Sequence, residues 1–443
     1  MLYSPLTSRQ KEKMLDALGL TRIEALFSDI PSLSTATPLS GFSSESDIEL
    51  MQKMGQLSAQ NGVNTESSFL GAGAYDHFSP SVVRYLVSRS EFSTSYTPYQ
   101  PEMSQGTLRA IFEFQTMVCE LTGMDIANAS VYDGASALAE SCSLVYHFFQ
   151  KQRPEVVVPS TLSPSYLEVL QTYLVPKGAC VKVIEGGCHY AFDSVLFESA
   201  MTEKVCAIVL PYPDFFGTVH AYESTIKKAK ELGIKVVFSC DPSALALLKS
   251  PGELGADVVA GEGQSLGIPL AYGGPYLGLM SAKQEFIRFF PGRIVGRTVD
   301  TQGKSGYVLT LQTREQHIRR EKSYSSICTN QGLLALSATI YMALMGPHGL
   351  QEVALLCYKK SQYLKNEIGK IAGFKILNQG PTFKEFLVQV PCKLDRLSAY
   401  LKQKNIVGGV PLGEDSLLIA VTETKSVAEL DAFVDALKEF QWK

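Results

Sequence analysis

Short apolar runs alternate with amphipathic stretches along most of this 443-residue chain. Val156 to Pro159, Val181 to Ile184, Val205 to Leu210, Lys235 to Ser239 and Asp257 to Ala260 are brief and valine-rich, the pattern of buried strands. Between and before them, Thr107 to Gly123, Tyr166 to Tyr173, Phe192 to Met201 and Tyr222 to Gly233 predict helices. Such alternation predicts βαβ units, and hence a largely parallel sheet covered on both faces. Ligands of such sheets bind beyond the carboxyl ends of the strands. Asp133, Pro211 to Phe216, Asp241 and Gln264 would gather at that edge.

The flanking regions follow different patterns. Residues 1–64 read as a helical arm, with turn signals at Ser28-Asp29 and Ser32 to Pro38. Within the arm, Ser46-Asp47 opens an amphipathic helix from Ile48 to Leu57, suited to packing on its own body or on a partner subunit. Residues 65–325 carry the strand–helix alternation and form the expected large domain. Residues 326–443 predict a smaller α/β domain. Its helices are Gln331 to Met345, ended by Gly346-Pro347, then Leu350 to Ile371, Leu394 to Lys404 and Ser426 to Phe440. Its strands are Phe374 to Leu377, Glu385 to Val390 and Ser416 to Val421.

Composition narrows the function classes. A formal charge of −4 gives no electrostatic reason to expect nucleic acid or an anionic membrane as partner. No uninterrupted apolar run approaches the roughly 18 residues of a membrane span, and no basic-then-apolar leader opens the sequence, so cytoplasm is the expected compartment. Nine cysteines without a CxxC pair indicate neither a disulfide framework nor a zinc site. The six histidines, His189 among them, lack metal-ligand spacing, so no metal is expected. His77 alone follows a loop suited to facing a site, Gly71 to Asp76.

The chemistry-bearing segment begins where the run Val236 to Phe238 ends at Asp241. In pyridoxal-phosphate (PLP) enzymes of the aminotransferase type, an Asp at a strand end pairs with the pyridinium nitrogen, and a lysine downstream forms the Schiff base. Here Gly261-Glu262-Gly263-Gln264-Ser265 follows about twenty residues later, with Gln264 at the place of the lysine. An amide neither forms an imine nor abstracts a proton. The nearest lysines, Lys249 and Lys283, would serve only a self-sufficient enzyme of unusual layout. Asp133-Gly134-Ala135-Ser136 opens a helix and suits either a phosphate or an ordinary N-cap, the commoner use of these residues. The glycine-dense stretch Gly261 to Gly278 permits close approach of backbone to a ligand or a neighbouring subunit. Tyr96-Thr97-Pro98-Tyr99 concentrates aromatics on a proline-stiffened loop, suited to an interface or a substrate wall. Arg314, Arg319 and Arg320 lie in a charged run and offer a carboxylate- or phosphate-binding guanidinium, against the plainer reading of a solvated face.

Several segments together resemble one family. They are Phe69-Leu-Gly-Ala-Gly-Ala-Tyr-Asp-His77, Tyr96 to Glu102, Ser104 to Thr107, Phe114 to Gly123, Asn128 to Ala135, Gly261 to Gly267 and Arg314 to Lys322. The chain is similar over essentially its whole length to the P-protein family of the glycine cleavage system, in its split form, as a subunit 1 (alpha) type. It departs from the family pattern at Asp214 and at Ser323 to Ser326. The resemblance implies the fold type I PLP-transferase architecture: a mostly parallel large-domain sheet plus a smaller C-terminal α/β domain. It also implies that lysine and PLP belong to a partner subunit 2 (beta), in an alpha2beta2 heterotetramer. The assembly would decarboxylate glycine and pass the aminomethyl group to the lipoyl arm of H-protein. On this view Asp133, Ser136, Asp241 and Gln264 are vestigial or interface positions, and no residue of the chain is catalytic on its own. Tyr96, Tyr99, His77 and Arg314 are candidates for an interface or substrate wall. A pseudoenzyme that only scaffolds the complex or docks H-protein is the alternative.

Overall fold

The computed structural model describes residues 5–30, 45–61, 67–93, 96–186 and 190–441. The turn signals at Ser32 to Pro38 and His189 lie outside them. Residues 1–64 and residues 65–443 form two compact units. In the first, the helices Ser8–Ala17 and Asp47–Ala59 each begin with a reciprocal capping box, Thr7 with Gln10 and Ser46 with Glu49. Neither helix buries a residue, and Ile48 and Met51 are more than two-thirds exposed.

The second unit is built on a seven-stranded sheet: β1 (Ile126–Ala127), β2 (Glu155–Pro159), β3 (Cys180–Ile184), β4 (Val205–Tyr212), β5 (Lys235–Cys240), β6 (Val258–Glu262) and β7 (Gly278–Ala282). The spatial order is β1-β7-β6-β5-β4-β2-β3. β2 to β6 run parallel, while β7 is antiparallel to both β6 and β1. Every residue of β4 is buried, as expected for a strand covered on both faces. One face packs on the helix Gly134–Phe148, itself buried from Gly134 through Tyr146, with Leu138, Cys142 and Val145 against Val156, Val209 and Val237. The other face sets Ile208, Leu210, Val236 and Phe238 against Phe197, Tyr222 and Ile226.

A four-stranded antiparallel sheet forms the smaller lobe, in the order Lys375–Ile376, Glu385–Gln389, Ser416–Ala420 and Val410–Leu412. Period-two alternation gives its strands two different partners. Phe386, Val388, Leu417 and Ile419 pack on the helices Leu394–Gln403 and Val427–Glu439, whereas Leu387 and Leu418 meet Phe216 of the large sheet's loops. Ser67 and Ser68 pair in parallel with Ile406 and Val407, and Phe69 is buried in the small-lobe core against Phe433. A segment ahead of the large sheet in sequence therefore belongs to the small lobe in space.

The helix Gly332–Gly369 joins the lobes. It is broken at Gly346 (φ 61°, ψ −178°), just before Pro347, where the sequence predicts an end. It is the one helix among the described residues long and apolar enough, by length and composition, to cross a membrane. Its buried residues fill the protein's own cores: Tyr341 and Met342 in one, Cys357 in a second, Leu364 and Ile368 in a third.

Gly217 lies at the seam between the lobes with φ +86°, and a Cβ there would collide with the Glu385 backbone. Left-handed strain and overpacking combine, so Gly217→Ala is expected to lower unfolding free energy by about 3 kcal/mol. The check is the shift in urea midpoint at unchanged m-value.

Candidate functional site

The carboxyl ends of β4, β5 and β6 face the start of the small-lobe strand Glu385–Gln389 across a cleft lined by Tyr75, Tyr166, Asp241, Glu262, Ser265 and Glu385, among others. Asp241 follows β5 immediately. Its carboxylate accepts from the amide and hydroxyl of Ser243 and forms a 2.8 Å ion pair with Lys384. Burial pushes the Asp241 carboxyl up, but the Lys384 ammonium and the Ser243 hydroxyl outweigh it and hold the group below the usual carboxylate range.

Lys384 is only 2% exposed, and its remaining contacts account for so deep a charge. It donates to Ser243 Oγ and to His77 Nε2, both at 3.0 Å, and stands 3.5 Å from the centre of the Tyr75 ring, a cation–π contact. With Nε2 accepting, His77 donates from Nδ1 to Glu423 at 2.7 Å. Burial raises the Glu423 carboxyl, yet the hydrogen bonds from His77 and from Phe78 N bring it down to about 2. Cys357 donates its thiol to the same Glu423 oxygen. Metal-ligating atoms of His77, Cys357 and Glu423 thus lie within 4.8 Å of one another, although their sequence spacing gave no sign of it. Burial drives the Cys357 thiol upward and keeps it protonated, so the group reads as a hydrogen-bonded chain rather than a set of anionic ligands.

Gln264 follows β6 and is buried at 1% exposure. Its carbonyl oxygen accepts from Tyr75 N at 2.9 Å, and its amide nitrogen donates to Tyr75 O and Ile268 O at 3.0 and 2.8 Å. The side chain pins the loop carrying Tyr75 and His77 to the end of the large sheet. Glu385 completes the cleft, accepting from Ala72 N and the Tyr75 hydroxyl. Burial lifts its carboxyl to about 7 in spite of those donors and Lys384.

PLP is the group that this architecture suggests, and three features decide whether the residues fit it. The helix start Gly134–Phe148, where a phosphate would sit, already serves carboxylates: Ser136 N donates to Asp133 at 2.7 Å and Gly134 N to Glu262 at 2.9 Å. Glu262 also takes the amides of Gln264 and Leu277, and burial lifts it to about 7. Two acids therefore stand where a phosphate would need donors. Asp241, the expected pyridinium partner, is held by Lys384. Position 264 carries an amide with its hydrogen bonds spent. The residues do not fit PLP.

The structure separates the remaining candidates. Asp133 and Ser136 make an N-cap, the plainer of the two readings. Arg314 is buried, but its guanidinium donates to the carbonyls of Leu311, Phe290 and Gly292. It braces a turn rather than facing an anion. Tyr96 is 92% exposed; Tyr99 stacks edge-on to His317 and lies near Arg293, so neither joins the cleft. Asp214, the departure noted in sequence, is buried with its oxygens on the amides of Phe216 and Thr218 and on His220 Nε2. Sequence reasoning missed Lys384 and Glu385, which arrive from the small lobe. It also read Glu262 as part of a glycine loop.

Comparison with solved structures places the architecture among PLP-dependent fold type I proteins. A C-DES chain crystallised with glycine linked to its PLP cofactor shares the fold at a TM-score of 0.62 and 12% identity, covering 86% of this chain and 98% of its own. The chain belongs to the glycine cleavage system P-protein family, whose sequence signature matches residues 1–437. A Desulfitobacterium hafniense relative, described as a "probable glycine dehydrogenase (decarboxylating) subunit 1", is 47% identical over 100% of both chains. The inhibitor-bound crystal structure of a P-protein glycine decarboxylase superposes with a TM-score of 0.90 at 38% identity, covering 99% of this chain and 100% of that one.

Two predictions follow from the charges. Lys384→Met leaves a buried carboxylate unpaired and is expected to cost about 3–5 kcal/mol, most of it recovered when Asp241→Asn is added; a double-mutant cycle by chemical denaturation measures the coupling. Glu262 and Glu385 hold folded-state pKa values above their unfolded ones, so the folded chain binds extra protons between about pH 4.5 and 7. Stability is therefore expected to fall as pH rises through that window, by at most about 3 kcal/mol per group. Glu385→Gln keeps the acceptor for Ala72 and should flatten part of that slope, read from urea midpoints at pH 5 and pH 8.

Proposed function

We propose that this chain is the non-catalytic subunit 1 of a two-subunit decarboxylating glycine dehydrogenase, an oxidoreductase component of the glycine cleavage system. A lysine-bearing subunit 2 holds PLP, which supplies the electron sink for glycine decarboxylation. The two chains assemble as an alpha2beta2 heterotetramer that hands the aminomethyl group to the lipoyl arm of H-protein. The observation that carries this reading is Gln264: within a full-length P-protein family chain, the position expected to bear the lysine is a buried amide with its hydrogen bonds spent. The likeness of the whole chain to subunit 1 relatives supports the division of labour.

On this reading the chain contributes surface rather than an internal site. Tyr96 and the apolar positions of Asp47–Ala59 are exposed and available to a partner. The expected result is that each chain alone fails to exchange bicarbonate into glycine, and that equimolar mixing restores exchange. Activity of this chain by itself would overturn the assignment. Gln264→Lys alone is expected to leave PLP unbound, because Glu262, Asp133 and Lys384 still hold the cofactor's positions; PLP fluorescence titration is the check. In the mixed complex, Tyr96→Ala is expected to slow exchange about tenfold, and unchanged kinetics would remove Tyr96 from the partner's site.

A further inference from the structure

The buried lysines Lys384 and Lys425 each face a carboxylate, Asp241 and Asp76. Lys365 has no such partner. It lies half-buried near the end of the helix Gly332–Gly369, and no ion pair involves it among the described residues. Burial alone pushes its ammonium down from the ordinary lysine range, and no charged neighbour contributes.

Its Nζ meets a single group of the chain, the hydroxyl of Thr382, at 3.0 Å. Gln362, from the preceding turn of the helix, donates Nε2 to the same oxygen and to Thr382 O, both at 3.1 Å. Two donors thus fill the lone pairs of this buried hydroxyl, and its own hydrogen has no acceptor among the described residues. Thr382 is held in place from the other lobe. It bridges Thr218, while Val219 N donates to Pro381 O and Phe383 N to Gly217 O in the loop after β4. An ammonium carries three N–H donors, and here the chain supplies one neutral acceptor. The uncharged amine fits these surroundings better, with one N–H on Thr382 Oγ1 and a free lone pair.

We propose that Lys365 is a carbamate-forming site, whose amine takes up carbon dioxide reversibly beside the Thr382 hydroxyl. The nitrogen lone pair forms the N–C bond, one C–O π pair moves onto oxygen, and one N–H proton leaves to water. No oxidant or further reactant is needed. The surroundings suit the anion that results. No carboxylate bears on the position, and the idle Thr382 hydrogen is close enough to the amine to reach a carbamate oxygen, a charge-assisted bond. Carbon dioxide is small enough for a half-buried amine, and it brings the acceptor that the hydroxyl lacks. It is also what decarboxylation of glycine releases, so under the proposed function product and site meet in one assembly. The existence of the site does not rest on that reading.

The test uses the full chain alone, equilibrated with isotopically labelled bicarbonate. A trialkyloxonium reagent then converts carbamates to stable esters, and peptide mapping by mass spectrometry reads each lysine separately. Labelled adduct is expected on Lys365 at roughly tenfold the occupancy of Lys370, an exposed lysine at the end of the same helix that is paired with Glu367. Thr382→Val removes the hydroxyl at similar volume and should lower Lys365 occupancy several-fold at equal dissolved carbon dioxide, whereas Thr382→Ser should restore it. Urea midpoints confirm that the variants fold. Adduct on Lys365 no greater than on Lys370, or equal occupancy in wild type and Thr382→Val, would overturn the site. The comparison with Lys370 needs no variant and decides the matter if Thr382→Val fails to fold. Failure of a mixed pair to exchange bicarbonate into glycine refutes the proposed function and leaves the adduct measurement standing as the test of Lys365.

Discussion

The ion pair between Asp241 and Lys384 is the contact on which the arrangement of this protein turns. It joins the end of the central strand of the large sheet to the residue just before the small-lobe strand Glu385–Gln389, 143 residues later, and both partners are largely buried. A charge so placed is tolerated only when every neighbour is arranged to receive it. The surroundings show that arrangement in full: Ser243 serves both charges, Tyr75 offers its ring, His77 accepts and passes the polarity to Glu423, and Glu423 collects Cys357 and Phe78 N. The two lobes are held by one continuous polar chain rather than by apolar contact alone.

That chain also accounts for the chemistry of the cleft. In the PLP-dependent architecture the strand-end Asp answers a pyridinium, a helix start answers a phosphate, and a lysine holds the aldehyde. Here each position is answered from within: an ammonium from the small lobe, carboxylates at the helix start, and an amide that clamps a loop. Asp241 and the helix at Gly134 retain the architecture's frame, and the charged groups around them are paired within the chain.

How much of this the sequence showed depended on separation along the chain. The strands β2 to β6 and the break at Gly346-Pro347 were legible, because period and proline act locally. Gln264 was legible as an absence, since its spacing from Asp241 is short. Lys384 was not: a lysine at the head of an apolar strand reads as its solvated end, and nothing local reveals an aspartate 143 residues away. Arg314 drew attention within a charged run, but burial ends its interest as an anion site, because its guanidinium is consumed by backbone carbonyls. Ser67 to Phe69 were assigned by position to the large region, and only strand pairing moved them to the small lobe.

The buried Lys384 bears finally on how the chain's stability responds to its surroundings. A protein that meets a buried carboxylate with a diffusible ligand gains stability by mass action, in proportion to the logarithm of ligand concentration over its dissociation constant. A counter-charge carried on the same polypeptide has no such concentration term. With the cleft's charges balanced by its own residues, the pairing of Asp241 with Lys384 carries no dependence on the concentration of any ligand.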